Sequence, residues 1–203
     1  MALKIYGVAQ SRAYRALWMA EECGVPYEHV KISTQGGATR TPEFLAVNPN
    51  GHIPAIDDNG RKLWESMAIN LYLAKKYGKD LAPRTVEEEG QALQWSFWVM
   101  TECEKHILQA LFHRAMLPPD KRDEKVVAAS VEALKAPMQV LEDALKKGNG
   151  HLVGGRFTVA DLNVAAVFSW LRPAKEALEP FPVISAWVRE CNGRPAAKAA
   201  QGK

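Results

Sequence analysis

The chain has 203 residues, 47% of them hydrophobic, and its 26 Lys and Arg against 23 Asp and Glu leave a formal charge of +3. A chain of this length makes one large domain or two small ones and buries roughly 70% of the surface it exposes when unfolded, so neither a disulfide framework nor a metal is needed to hold it together. The basic residues alternate with acids ("DKRDEK", "KKYGKD") instead of forming an aromatic-studded stripe, which argues against nucleic acid as a partner.

The opening "MALKIYGVAQ" lacks a basic segment followed by a long apolar one, and no later run reaches bilayer length, so no membrane partner is expected. Cys23, Cys103 and Cys191 are odd in number and show no CxxC or Cys/His ligand spacing. That usage fits a reducing, cytoplasmic setting and assigns no metal. "LKIYG" reads as a strand, and "SRAYRALWMAEECGVP" as a helix with Ala13, Ala16, Leu17, Ala20 and Cys23 on one stripe, Ser11 near its start and Gly24 at its stop. "YEHVKI" is a second strand. After a Gly/Thr/Pro-rich connection, "IPAID" and "RKLW" form a hairpin around Asn59-Gly60. "SMAINLYLAKKYG" closes the unit as a helix with Ala68, Leu71, Tyr72 and the stem of Lys75 on one side. This first domain is expected over 1–79.

"KDLAPRTVEEE" has no apolar period and reads as the linker. From 89 to 203 only helical patterns follow. "GQALQWSFWVMTECEKHILQALFHRAM" is a long helix stopped by Pro118-Pro119, in which Leu93, Phe97, Met100 and Ile107 look like core, while Trp95, Trp98, Glu102 and His106 form a mixed aromatic and polar face. Val127, Val131, Leu134, Met138, Leu141 and Leu145 make a stripe on the next helix, with Pro137 predicting a kink. "TVADLNVAAVFSWL" is a buried-helix candidate opened by a Thr158/Asp161 capping box, and "VISAWVREC" is a last amphipathic element.

The stretch "NPNGHIPAIDDNGRKLWES" concentrates the chemistry. Proline forces the residue before it into an extended backbone, and a cis Ile53-Pro54 bond, which the sequence leaves open, would swing the Ile53 N–H and C=O out of the sheet to meet an extended peptide. Ser66 stands at a helix start, where free N–H groups favour a carboxylate, and Glu65 beside it can hold an ammonium. Singly, each of these has a structural reading: a strand opener, a cap, a solvated acid. Together they match a peptide with a free α-amino/α-carboxyl head, the shape of glutathione.

With Ser11 after the first strand, "NPNGHIP" and "ES" in order, and "GGRFTVAD" later, the sequence resembles the cytosolic glutathione transferase family along essentially its whole length, and within it a bacterial serine-type member. The resemblance implies an α/β thioredoxin-like domain followed by an all-helical domain that contributes the electrophile site. It also implies a homodimer, and a cis Pro54 with the Ile53 main chain on the glutathione cysteine. Glu65 and Ser66 would hold the γ-glutamyl head, and His52 would lie near the glycine carboxylate.

Chemistry requires the thiolate, and a free thiol with a pKa of about 8.5 is mostly protonated at pH 7. Lowering it by about two units takes roughly 2.7 kcal/mol, against ~1.5–3 from a hydrogen bond to a charged group and ~0.3–1 from a helix terminus. One well-placed hydroxyl nearly suffices. Ser11 is the catalytic candidate, with Tyr6 and Tyr14 as rivals, and no cysteine stands at position 11. The expected activity is conjugation of the glutathione thiolate to a hydrophobic electrophile. The alternatives are a non-catalytic interaction module of the same fold, or a specialised glutathione-dependent isomerase, dehalogenase or ether-cleaving enzyme.

Overall fold

The computed structural model describes residues 3–203; Met1 and Ala2, the first two residues of the expected first domain, lie outside them. The chain divides into two compact units, one comprising residues up to Ala82 together with Gly193–Lys203, the other Pro83–Asn192.

In the first unit β1 (Leu3–Tyr6), β2 (Tyr27–Val30), β3 (Ala55–Asp58) and β4 (Arg61–Trp64) form one sheet in the order β2-β1-β3-β4. β1 pairs parallel with β2 across the helix α1 (Ala13–Cys23), and antiparallel with β3, which turns into β4 at Asn59-Gly60. Side chains alternate between faces. Ile5 and Ile56, paired across β1 and β3, are fully buried, and α1 and α3 (Ser66–Tyr77) pack on each other over that face. On the other face Tyr6 and Ala55 join Phe44, Val47, Ile32 and Ile53 beneath the short α2 (Pro42–Leu45).

Asp58 closes β3 and ties it to α3. Its buried carboxylate accepts from Tyr72 (2.6 Å), Lys76 (2.6 Å), Tyr77 (2.9 Å) and Asn59 (2.9 Å). Burial alone would push this carboxyl up, but the hydrogen bonds from Lys76, Tyr72, Tyr77 and Asn59 outweigh it and bring the pKa down to about 2.

Three local expectations change. The buried face of α3 is Ser66, Ile69, Asn70, Leu73 and Ala74, not Ala68, Leu71, Tyr72 and Lys75. Strand β3 begins at Ala55, so Ile53 and Pro54 stand outside the ladder. The linker is shorter than 79–89, because Lys79–Leu81 is a 3₁₀ turn of the first unit and Thr85 already caps a helix by accepting from the Glu88 amide. Three acids in a first turn are a helix-start signal as much as a linker composition.

The second unit holds α4 (Val86–Trp98), α5 (Glu104–Leu111), α6 (Glu124–Lys147), α7 (Val159–Phe168) and α8 (Pro182–Gly193), with π-helical turns at Val99–Cys103 and Phe112–Met116. Its core helix α7 is buried on every side. α6 runs through Pro137 as a single helix. Here too the expected core stripe moves: α4 buries Ala92, Trp95 and Ser96, followed by Val99 and Cys103, and leaves Leu93 and Phe97 39% and 68% exposed. Small residues win because they let α7 approach, where Asn163 donates to Ser96 Oγ (2.8 Å) and Ser96 to the Ala92 carbonyl (2.7 Å). Ile107 is buried as expected.

The Thr158/Asp161 capping box forms. Asp161 is fully buried and accepts from the Thr158 amide (2.9 Å) and the Leu152 amide (3.0 Å). The second domain does not extend to 203. α9 (Pro195–Gln201) packs on α1, and Arg194 forks onto Glu22 at 2.6 and 2.8 Å.

Candidate active site

The first unit carries three candidate junctions, two opening helices α1 and α3 and one leading into β3. At the end of β1, Gly7 has φ 137°, and a Cβ there would stand 2.4 Å from the Ala13 Cβ and 3.3 Å from the Ile53 Cβ. Only glycine lets the chain leave the sheet at that spot. The same contacts mean that the loop carrying Ser11 adjoins Ile53.

Ser11 is half-buried just ahead of α1. Its Oγ donates to the Val8 carbonyl (2.7 Å) and accepts from the Ala13 amide (3.1 Å). The hydroxyl is therefore a local cap in the absence of a stronger acceptor, and a rotatable donor when one arrives. Tyr6 belongs to the Phe44 cluster, edge-on to that ring at 6.0 Å. Burial, with Asp57 adding, pushes its hydroxyl pKa up. Tyr14 lies buried on α1 and accepts from Gln201 (3.2 Å).

The second junction is Asn48–Pro54, built by a side chain that sequence reading quoted without a role. Buried Asn48 donates to the His52 carbonyl (2.7 Å) and accepts from the Asn50 amide (3.0 Å). Gly51, at φ 63°, leaves room for the Arg40 guanidinium, whose Nη1 donates to the Asn50 carbonyl (3.1 Å). The Ile53-Pro54 bond is cis. Among the described residues none hydrogen-bonds the Ile53 main chain. His52 is exposed and Pro54 buried.

The third junction opens α3. Glu65 is exposed, and at φ 70°, ψ 113° it occupies a region that costs a non-glycine residue on the order of 1–3 kcal/mol. Ser66 is buried and its Oγ accepts from Nη1 of Arg15 (3.2 Å), a guanidinium fully buried on α1. Sequence reading missed Arg15. The available signal was a lone cation inside the otherwise apolar "AYRALWMA". A buried cation beside the positive end of a helix is an arrangement for a carboxylate.

None of the cysteines joins this chemistry. Cys23 is held up at about 12 by burial, and Cys103, buried on the helical unit, is raised as well. Among the described residues no three His, Cys, Asp or Glu side chains gather as metal ligands would, and no helix is long and apolar enough to cross a membrane.

The fold is a thioredoxin-like unit joined to an all-helical one, and the first unit carries Ser11, the Ile53 main chain and the Arg15–Ser66 pair as candidate site groups. Comparison with known proteins agrees. Residues 1–75 match the glutathione S-transferase N-terminal domain and residues 105–195 the C-terminal domain. Glutathione S-transferase F9 of Arabidopsis thaliana is 33% identical over 100% of this chain and 98% of its own. GstB of Escherichia coli is 30% identical over 91% and 89%. A glutathione S-transferase-I solved with lactoylglutathione superposes with a TM-score of 0.90 at 30% identity, covering 100% and 99% of the two chains. The chain belongs to the cytosolic glutathione transferase family, and it is an enzyme, a glutathione transferase.

Proposed function

We propose that this enzyme, a bacterial serine-type member working in the cytoplasm, conjugates the glutathione thiolate to hydrophobic electrophiles, with Ser11 Oγ stabilising the sulfur anion. The observation that supports this reading is the buried Arg15–Ser66 pair at the start of α3, carried by the same unit as an Ile53 main chain that no described residue occupies. The γ-glutamyl carboxylate sits at Ser66 under the field of Arg15, its ammonium on Glu65, and the cysteine main chain pairs with Ile53. The thiol then reaches the Gly7–Ser11 loop, which adjoins Ile53. His52 faces the glycine carboxylate with Arg40 at hand, the guanidinium adding the charge that an imidazole supplies less strongly.

Activation follows from geometry. Ser11 is not a base; the thiol loses its proton to solvent water, the Ser11 O–H turns from the Val8 carbonyl to the sulfur anion, and a charge-assisted bond replaces a neutral one. Tyr6 serves less well because its ring is engaged with Phe44 on the α2 face.

A homodimer completes the proposal. Val86, Leu93 and Phe97 stand 81%, 39% and 68% exposed at helical spacing on α4, an apolar stripe suited to a second copy. The reading is tested by titrating the purified protein with glutathione in a calorimeter and assaying turnover of a chlorinated nitroaromatic. Micromolar-to-millimolar binding with turnover is expected; binding without turnover of any of a broad electrophile panel would overturn the conjugating role.

A further inference from the structure

We propose that His29, on β2, is a positioning residue for the thiol-activating loop, acting on Ser11 through the Gly7 carbonyl; the inference rests on the role given to Ser11 above. β1 ends at Tyr6, and the Gly7 amide still bonds the Val30 carbonyl (3.1 Å). The chain then turns out of the sheet at φ 137°, so the Gly7 carbonyl has no strand to meet. His29 Nε2 takes that place at 2.7 Å. A carbonyl only accepts, so Nε2 carries the hydrogen and donates it to Gly7. Nδ1 is buried with no partner among the described residues, leaving the Gly7 contact as the polar interaction that orients the ring.

A fixed Gly7 carbonyl fixes the plane of the Gly7–Val8 peptide, because that bond does not rotate. The next carbonyl along, Val8, accepts from both the Ser11 hydroxyl (2.7 Å) and the Ser11 amide (3.1 Å). Two consecutive carbonyls, one held by His29 and one by Ser11, thus set where the hydroxyl points. Gly7 also lies so close to Ala13 and Ile53 that a Cβ would stand 2.4 Å and 3.3 Å from their Cβ atoms, so the position of this residue registers the start of α1 against the segment of Ile53. Without the imidazole donor the Gly7 carbonyl turns to find water, the peptide plane tilts and Ser11 moves off line. A misplacement of ~1 Å at a reacting group costs up to on the order of 100-fold in rate, and a tilt that moves Ser11 by about half as much costs about tenfold.

The test compares His29→Leu, which fills the space without a donor, with His29→Gln, whose amide nitrogen reaches the position of Nε2. Ser11→Ala serves as the reference. The readouts are the pKa of the bound glutathione thiol from thiolate absorbance against pH, kcat, and the KM for glutathione. His29→Leu should raise the thiol pKa by about one unit and lower kcat by about tenfold, while KM changes by less than about threefold because the Arg15–Ser66 end of the site is untouched. His29→Gln should return both to near wild-type values. If His29→Leu leaves the thiol pKa unmoved while Ser11→Ala raises it, the role of His29 falls and that of Ser11 stands. If Ser11→Ala leaves it unmoved as well, the reading of Ser11 fails and takes this inference with it. Equal loss in the Leu and Gln variants overturns the inference by making His29 a packing residue. Should His29→Leu not fold, His29→Asn, too short to reach Gly7, carries the same comparison.

Discussion

Asp58→Asn separates the charge of the β3–α3 tie from its shape. The carboxylate has a pKa of about 2 against an ordinary 3.8, held down by Lys76, Tyr72, Tyr77 and Asn59 against the opposing effect of burial. Its own side chain has no exposure, but Lys76 is 40% exposed, so solvent screens the pair from the lysine side and the full shift sets an upper bound. At 1.36 kcal/mol per unit the shift is worth at most about 2–3 kcal/mol of folding free energy at neutral pH. The sign follows from the direction of the shift. A carboxyl depressed on folding stabilises above its unfolded pKa, and that contribution drains away as pH falls from about 4 towards 2, standing near half its neutral value at about pH 3. The variant lacks this titration. Urea unfolding of both proteins between pH 7 and 3 should show a gap that is widest at neutrality and narrows with acid, with equal m-values. A gap constant across the range would mean that packing, not the charge, holds α3 to β3, and would refute the reasoning. Because Ser66 begins the same helix, glutathione affinity should weaken alongside.

Glu65→Gly should release the strain at φ 70° and raise stability by about 1 kcal/mol while weakening glutathione binding, a pairing of opposite signs that calorimetry and denaturant titration together resolve. Asp161→Ala strands the buried Thr158 amide and frees the part-buried Leu152 amide to water, and at ~1–3 kcal/mol for the buried one unfolding should come at least about 1–3 kcal/mol sooner; a loss well under about 1 kcal/mol would deny the box its structural role. Phe97→Glu, on the exposed stripe of α4, should convert a dimer to a monomer in sedimentation, and a wild-type monomer would refute that stripe as an interface.

What sequence alone conveyed divides by the range of the interaction. The local structure around the candidate residues Ser11, Ile53-Pro54 and Ser66 was legible because short-range chemistry dictates it: a proline after a loop, a hydroxyl near a helix start, a hairpin at Asn59-Gly60. Arg15 was not, since a mid-helix cation is normally solvated and only its meeting with Ser66, 51 positions away, brings it to the candidate site. His29 and Gly7, 22 apart, escaped for the same reason. In α4 the larger residues of a perfect helical stripe, Leu93 and Phe97, looked like core; burial instead went to Ala92 and Ser96, whose value is closeness to α7, a property of the partner helix. The return of the tail to α1 depends on Arg194 finding Glu22 across 172 positions, and "RPAAKAA" is too short to carry a period that announces it.

The most direct trial of the account follows the ultraviolet absorbance of glutathione bound to the wild-type enzyme and to Ser11→Ala across pH. A wild-type thiol about two units below the free value of about 8.5, with the alanine variant returning most of that shift at nearly unchanged affinity, is the predicted result. Superimposable titration curves would contradict it and remove Ser11 from the chemistry.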